Sequence, residues 1–241
     1  MINLIFVNKS CQNTSFLTEI SKGENIKRHI EAPKSESVRL ERNLSYSALL
    51  YLTSRLYKRT PEDIDFSEKP RFFGECCGIK FNISHTDTAI LIALTDAYGK
   101  IGVDIEPLMD REKAERIEKR FLSSLITPSL DLEIYKKINF FLLSADEKGE
   151  PTLEKMNYSN ECDTSLPQGI FPVNISLKAQ TEDETHRATA KFTHLESVLK
   201  CEGGGFGSIK EFEKIRPTCE CVSFWILCGK REYSASLSLI K

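Results

Sequence analysis

The chain has 241 residues, 40% of them hydrophobic and 28% charged, a composition suited to a water-soluble globular protein with one large domain or two small ones. The formal net charge of −2 excludes a global basic field of the kind that gathers nucleic acid or anionic membrane. Eight cysteines form no CxxC pair and only four histidines accompany them, so no zinc spacing appears and a reduced cytoplasm is the expected home.

Met1 to Val7 reads as a first strand and lacks the basic region and cleavage site of a secretory leader. No apolar run approaches membrane-spanning length. Ser10 to Glu36 is polar and loop-like, and carries the basic cluster Lys27-Arg28-His29. From Val38 to Tyr57, Leu40, Leu44, Ala48, Leu49, Leu52 and Leu56 recur at helical spacing and predict an amphipathic helix. Pro61 begins a turn or short helix, and Lys69-Pro70 follows in a loop.

Ile79 to Glu106 reads as consecutive strands. A turn at Asp96-Ala97-Tyr98-Gly99 predicts a hairpin between the last two, with Glu106 opposite residues near Ala89 and His85 a few residues beyond at the same end of the sheet. Asp110 to Leu122 reads as a helix, and 125–190 as a turn-rich insertion with partial order. Phe192 to Lys200 is predicted helical and stopped by Gly203-Gly204-Gly205. Cys221 to Leu227 and Tyr233 to Ile240 form a closing hairpin.

Two stretches carry candidate chemistry. In Gly102-Val103-Asp104-Ile105-Glu106, strand alternation sends Ile101, Val103 and Ile105 to one face. Gly102, Asp104 and Glu106 take the other, with the carboxylates about 7 Å apart at their Cα atoms. Hard oxygen ligands on a rigid element suit Mg²⁺, which completes its shell with water and phosphate oxygens. A half-exposed strand has the same pattern with no ligand at all. In the second stretch, Glu196 and Lys200 share a helix face. The alternative is a capping box at Thr193-x-x-Glu196 with an exposed ion pair.

Lys69-Pro70, Phe81-Asn82-Ile83-Ser84-His85, Gly102 to Glu106 and Phe192 to Lys200, in that order, resemble the motifs of the 4′-phosphopantetheinyl transferase superfamily, Sfp type. The family patterns run approximately KP, FNxSH, (I/V)G(I/V)D(I/V)E and (W/F)(S/T)xKE(A/S)xxK. The resemblance spans about Arg39 to Gly207, apart from the middle insertion. It implies Mg²⁺-dependent transfer of the phosphopantetheine arm of coenzyme A to a serine of an acyl or peptidyl carrier protein, releasing 3′,5′-ADP. By the same resemblance Asp104, Glu106 and Glu196 hold the metal, Glu196 is the general base and Lys200 stabilises developing negative charge. Ser84, His85 (protonated, near the 3′-phosphate), Lys69 and Arg42 bind coenzyme A, and Lys27 and Arg28 lie where the family places further phosphate-binding cations.

The fold implied is α+β: two similar α/β subdomains about a pseudo-twofold axis, 1–103 and 104–241, with an insertion at about 125–190. A monomer is expected, without nucleic acid or membrane. There are two departures: Leu195 stands where the family usually has Lys, and the interval from Glu106 to Glu196 is longer than usual. These leave open a degenerate relative that binds coenzyme A or a carrier without catalysis, and a Mg²⁺-dependent phosphate hydrolase.

Overall fold

The structure is a computed structural model describing residues 1–9, 17, 24–59, 73–76, 78–122, 132–146, 150–156, 158–159, 173–176, 183–204 and 212–241. It is a mixed α+β protein. Strands β1 (Ile2–Asn8), β2 (Phe73–Cys76), β3 (Ile79–His85), β4 (Ala89–Thr95), β6 (Ile138–Ala145) and β7 (Pro151–Met156) make one sheet in the order β2-β3-β4-β1-β6-β7. Strands β5 (Lys100–Pro107), β8 (Tyr158–Ser159), β9 (Val173–Ser176), β10 (Glu220–Cys228) and β11 (Arg231–Ile240) make the other, ordered β5-β11-β10-β9-β8.

Side-chain alternation assigns the layers. Ile2, Leu4 and Phe6 of β1 join Ile101, Val103 and Ile105 of β5 and Val222, Phe224 and Ile226 of β10 in a core between the sheets. Ile5 and Val7 point the other way, towards helices α1 (Glu24–Glu31) and α2 (Glu36–Tyr57). On the far side of the second sheet lies α5 (Glu184–Cys201), whose Leu195, Val198 and Leu199 pack with Leu122 and Phe212. The shorter α-helices are α3 (Arg111–Ile117, continued by a π turn Glu118–Leu122), α4 (Leu132–Tyr135) and α6 (Phe212–Ile215), the last running into a 3-10 turn at Arg216–Thr218.

Several sequence expectations are corrected. β4 and β5 do not form a hairpin: β4 pairs antiparallel with β1 and β3, whereas β5 crosses to the second sheet and pairs with β11. The open edge of β5 instead meets side chains of β3, as Val103 N–H donates to Asn82 Oδ1 (3.0 Å) and Ile105 N–H to Ser84 Oγ (3.3 Å). Polar side chains on the face of one sheet thus satisfy edge amides that would otherwise be buried without partners.

The polar segment expected as a loop contains α1. Helix α5 starts at Asp183, whose side chain accepts from Thr185 N–H and His186 N–H. The capping box at Thr193 therefore does not exist; Thr193 is buried in mid-helix. Gly203, at φ +80°, closes the helix as expected, its N–H donating to the Lys200 carbonyl. The stretch 125–190 adds to both sheets: β6 runs parallel to β1, and β9 pairs with β10.

Candidate functional site

The site begins with Gly102. A Cβ there would lie 2.1 Å from Ser197 O, 2.4 Å from Cys201 N and 2.8 Å from Cys201 Cα, all backbone atoms of α5. Only glycine lets the helix settle this close to β5. Hydroxyls replace bulk along the rest of the contact. Thr193 Oγ1 is 3.0 Å from both Ser234 Oγ and Ser236 Oγ, and Ser197 Oγ is 2.8 Å from Ser238 Oγ. Those serines are the cross-strand partners of Glu106, Asp104 and Gly102.

Close approach brings the last turns of α5 over the acidic face of β5. Asp104 is buried, at 3% exposure. Lys200 Nζ donates to Asp104 Oδ1 (2.6 Å) and to Ser84 Oγ (3.0 Å), and the Ser84 hydroxyl donates to the same Asp104 oxygen (2.8 Å). With the amide of Ile105 also donating to it, Ser84 uses its one proton and both lone pairs inside the site. Its role here is that of a strut; the phosphate contact expected of it requires release of Asp104.

Glu106 and Glu196 feel the crowd. Burial and the Asp104 charge push the Glu106 carboxyl up to about 7, with Glu196 adding to the effect and Lys113 and Lys200 opposing it. Lys113 Nζ stands 3.8 Å from Glu106 Oε2. Burial, then the Asp104 charge, raises Glu196, with Lys200 acting the other way.

His85 stands at the end of β3, its Nδ1 2.9 Å from Glu41 Oε1, which also accepts from Lys9 Nζ at 2.8 Å. Burial lowers its pKa; the Glu41 carboxylate opposes that, and Lys9 and Lys200 reinforce it. The protonated form expected from the sequence is therefore disfavoured here. Arg42 follows Glu41 on α2, one turn before buried Tyr46, on whose hydroxyl its charge acts. Lys27 and Arg28 are exposed on α1, and Lys69 lies outside the described residues.

Ser84, His85, Asp104, Glu106, Glu196 and Lys200 are thus brought into one electrostatic cluster. Sequence reasoning missed Lys9, Glu41, Asn82 as the support of β5, and Lys113. Glu41 adjoins the chosen Arg42, and helical periodicity carries no signal separating the two. Leu195 is fully buried among Leu122, Val198, Leu199 and Phe212. It faces away from the carboxylates, so its departure from the family pattern removes no cation from among them.

A metal is a separate question. Among the described residues, no three or more His, Cys, Asp or Glu side chains are arranged as a metal site. Yet Asp104 Oδ2 is buried without a hydrogen-bond partner, and two neighbouring carboxyls are raised by burial and then by the Asp104 charge. That combination fits a hard divalent cation. No protein-family model matches the chain, and no curated protein matches it. No helix among the described residues is long and apolar enough to cross a membrane.

Proposed function

We propose that this protein is a Mg²⁺-dependent 4′-phosphopantetheinyl transferase, moving the phosphopantetheine arm of coenzyme A to a carrier-protein serine. The observation that carries the reading is the assembly of Asp104 and Glu106 from β5 with Glu196 and Lys200 from α5, braced by Ser84 of β3. Order of connection supports a pseudo-twofold pair of subdomains. In each half a leading strand (β1 or β5) precedes a long helix (α2 or α5) and a hairpin (β3-β4 or β10-β11). In each the leading strand pairs antiparallel with the second hairpin strand.

Asp104, through its free Oδ2, with Glu106 and Glu196 would hold Mg²⁺, which when bound neutralises pyrophosphate charge. Glu196, its proton affinity raised by burial, accepts the proton of the carrier serine hydroxyl. The serine oxygen then bonds to the pantetheine phosphorus while the pyrophosphate P–O bond breaks, releasing 3′,5′-ADP. Lys200 stabilises the negative charge that develops. His85, Arg42 and Lys69 are assigned to coenzyme A. The enzyme is taken as a cytoplasmic monomer, both halves of the site lying on one chain.

A second reading, binding of coenzyme A or carrier without transfer, is favoured by Lys200 already neutralising Asp104. Incubation with coenzyme A, Mg²⁺ and an apo carrier protein, followed by weighing the carrier, decides between them. A phosphopantetheine mass increase that Glu196→Gln abolishes without altering the melting temperature supports transfer. Coenzyme A binding with unchanged carrier mass supports the second reading, and free phosphate in the absence of carrier overturns both.

A further inference from the structure

Strand alternation carries two polar side chains onto the face of the first sheet that the helices cover. In β1, Ile5 and Val7 point towards the helices, and the next residue of that row is Lys9. In β3, Phe81 and Ile83 do the same, and the next is His85. Both stand beside the start of β4, which separates the two strands, so they rise at one end of the sheet from backbones about 10 Å apart. On α2 the buried stripe Ser45, Ala48, Leu49 and Leu52 reaches back one turn to Glu41, whose carboxylate spans that gap. Lys9 Nζ donates to Glu41 Oε1 at 2.8 Å, and His85 Nδ1 stands 2.9 Å from the same oxygen. The Lys9, Glu41 and His85 side chains are only 14%, 24% and 25% exposed, so solvent screens their charges incompletely.

A carboxylate oxygen gripped by an ammonium and an imidazole has the partners that a phosphate oxygen would take. We propose that Lys9 and His85 form an oxyanion receptor for a phosphate monoester and that Glu41 is its built-in competitor, displaced when the phosphate binds. The inference rests on the coenzyme A reading above, which assigns His85 to the coenzyme but gives no part to Lys9 or Glu41. The trio adjoins the carboxylate cluster, since the charges of Lys200 and Asp104 are both felt at His85. Glu41 cancels the charge of Lys9, so the receptor exerts little net attraction while that carboxylate is in place. A phosphate monoester brings more negative charge than one carboxylate and three acceptor oxygens, enough to hold both partners and to win the exchange. A ligand without the phosphate leaves Glu41 where it is. The competitor therefore weakens binding of the phosphate-bearing ligand alone, and in doing so sets how strongly the site prefers it.

Calorimetric titration of wild type and Glu41→Gln with coenzyme A, 3′-dephospho-coenzyme A and inorganic phosphate tests the assignment. Glu41→Gln is expected to bind coenzyme A about tenfold tighter, the scale of one partly screened charge, and the dephospho form within about twofold of wild type. Inorganic phosphate should tighten likewise, and Lys9→Met added to Glu41→Gln should cancel both gains. Equal or weaker coenzyme A binding by Glu41→Gln, or a gain that survives Lys9→Met, overturns the proposal and leaves the coenzyme A reading standing. If neither coenzyme binds either protein, that reading fails instead, and the phosphate titration decides the receptor by the same two criteria. In wild type, coenzyme A or excess inorganic phosphate should shift the His85 ring-nitrogen resonances. Resonances that stay fixed under both overturn the receptor whether or not any variant folds.

Discussion

Replacing Gly102 by alanine tests whether close approach of α5 builds the site. The added carbon would sit 2.1 Å from Ser197 O and 2.4 Å from Cys201 N. Ordinary non-bonded contact lies near 3.5 Å, so the helix must retreat by roughly 1 Å or more. Backbone atoms line both clashes, and no side-chain rotamer relieves them. Overpacking of this kind costs about 1–3 kcal/mol, which for a chain of this size lowers the melting temperature by roughly 2–12 °C. The same retreat stretches the 2.6 Å contact between Lys200 and Asp104. A misplacement of that scale costs on the order of 10²-fold in turnover. The assay pairs a thermal melt with the rate of the proposed phosphopantetheine transfer to an apo carrier. Gly78→Ala is the control, because Gly78 has φ +81° and nothing within 4 Å of an added Cβ. Its backbone strain should cost about 1 kcal/mol and leave turnover unchanged. A Gly102→Ala variant that melts within about 1 °C of wild type and keeps full turnover would refute the close-packing argument.

Leu195→Lys, which introduces the residue usual in the family the motifs resemble, is expected to destabilise the protein by about 3–5 kcal/mol in urea unfolding, because it buries an unpaired charge in an apolar cluster. Improved transfer at unchanged stability would contradict that placement. Glu106 has a folded pKa of about 7, above its unfolded value, so the folded state binds more protons between those values and stability without divalent ion falls as pH rises through that window. Glu106→Gln should therefore outlast wild type at pH 8, by up to about 3 kcal/mol, and match it at pH 4, an advantage that added Mg²⁺ diminishes. Asn82→Ala leaves the buried Val103 amide unpaired and should cost about 1–3 kcal/mol by the same unfolding assay.

The acidic strand was legible because alternation is a local property: Ile101, Val103 and Ile105 enter the core just as their spacing requires. The shared face of Glu196 and Lys200 was legible for the same reason. What local pattern cannot carry is the partner of a strand. The turn at Asp96 to Gly99 looks like any hairpin turn, and nothing in it says that β5 changes sheets. That choice is made by Asn82 and Ser84, whose polar faces supply hydrogen bonds to β5 from across the interface. The start of α5 was hidden in a polar run, where a single aspartate cap outweighs the absence of apolar periodicity. Likewise β6 reads as an isolated apolar patch until β1 is seen beside it.

The strand β5 also has a consequence for how the molecule is made. Among the described residues it finds its ladder in β11, far along the chain, while β1 waits on one flank for β6. A nascent chain therefore carries its acidic strand unzipped until β11 has emerged, and long loops must close before either sheet is whole. The carboxylate cluster waits on that pairing, so appearance of its ligand-binding competence during refolding should track the slowest phase rather than the first collapse.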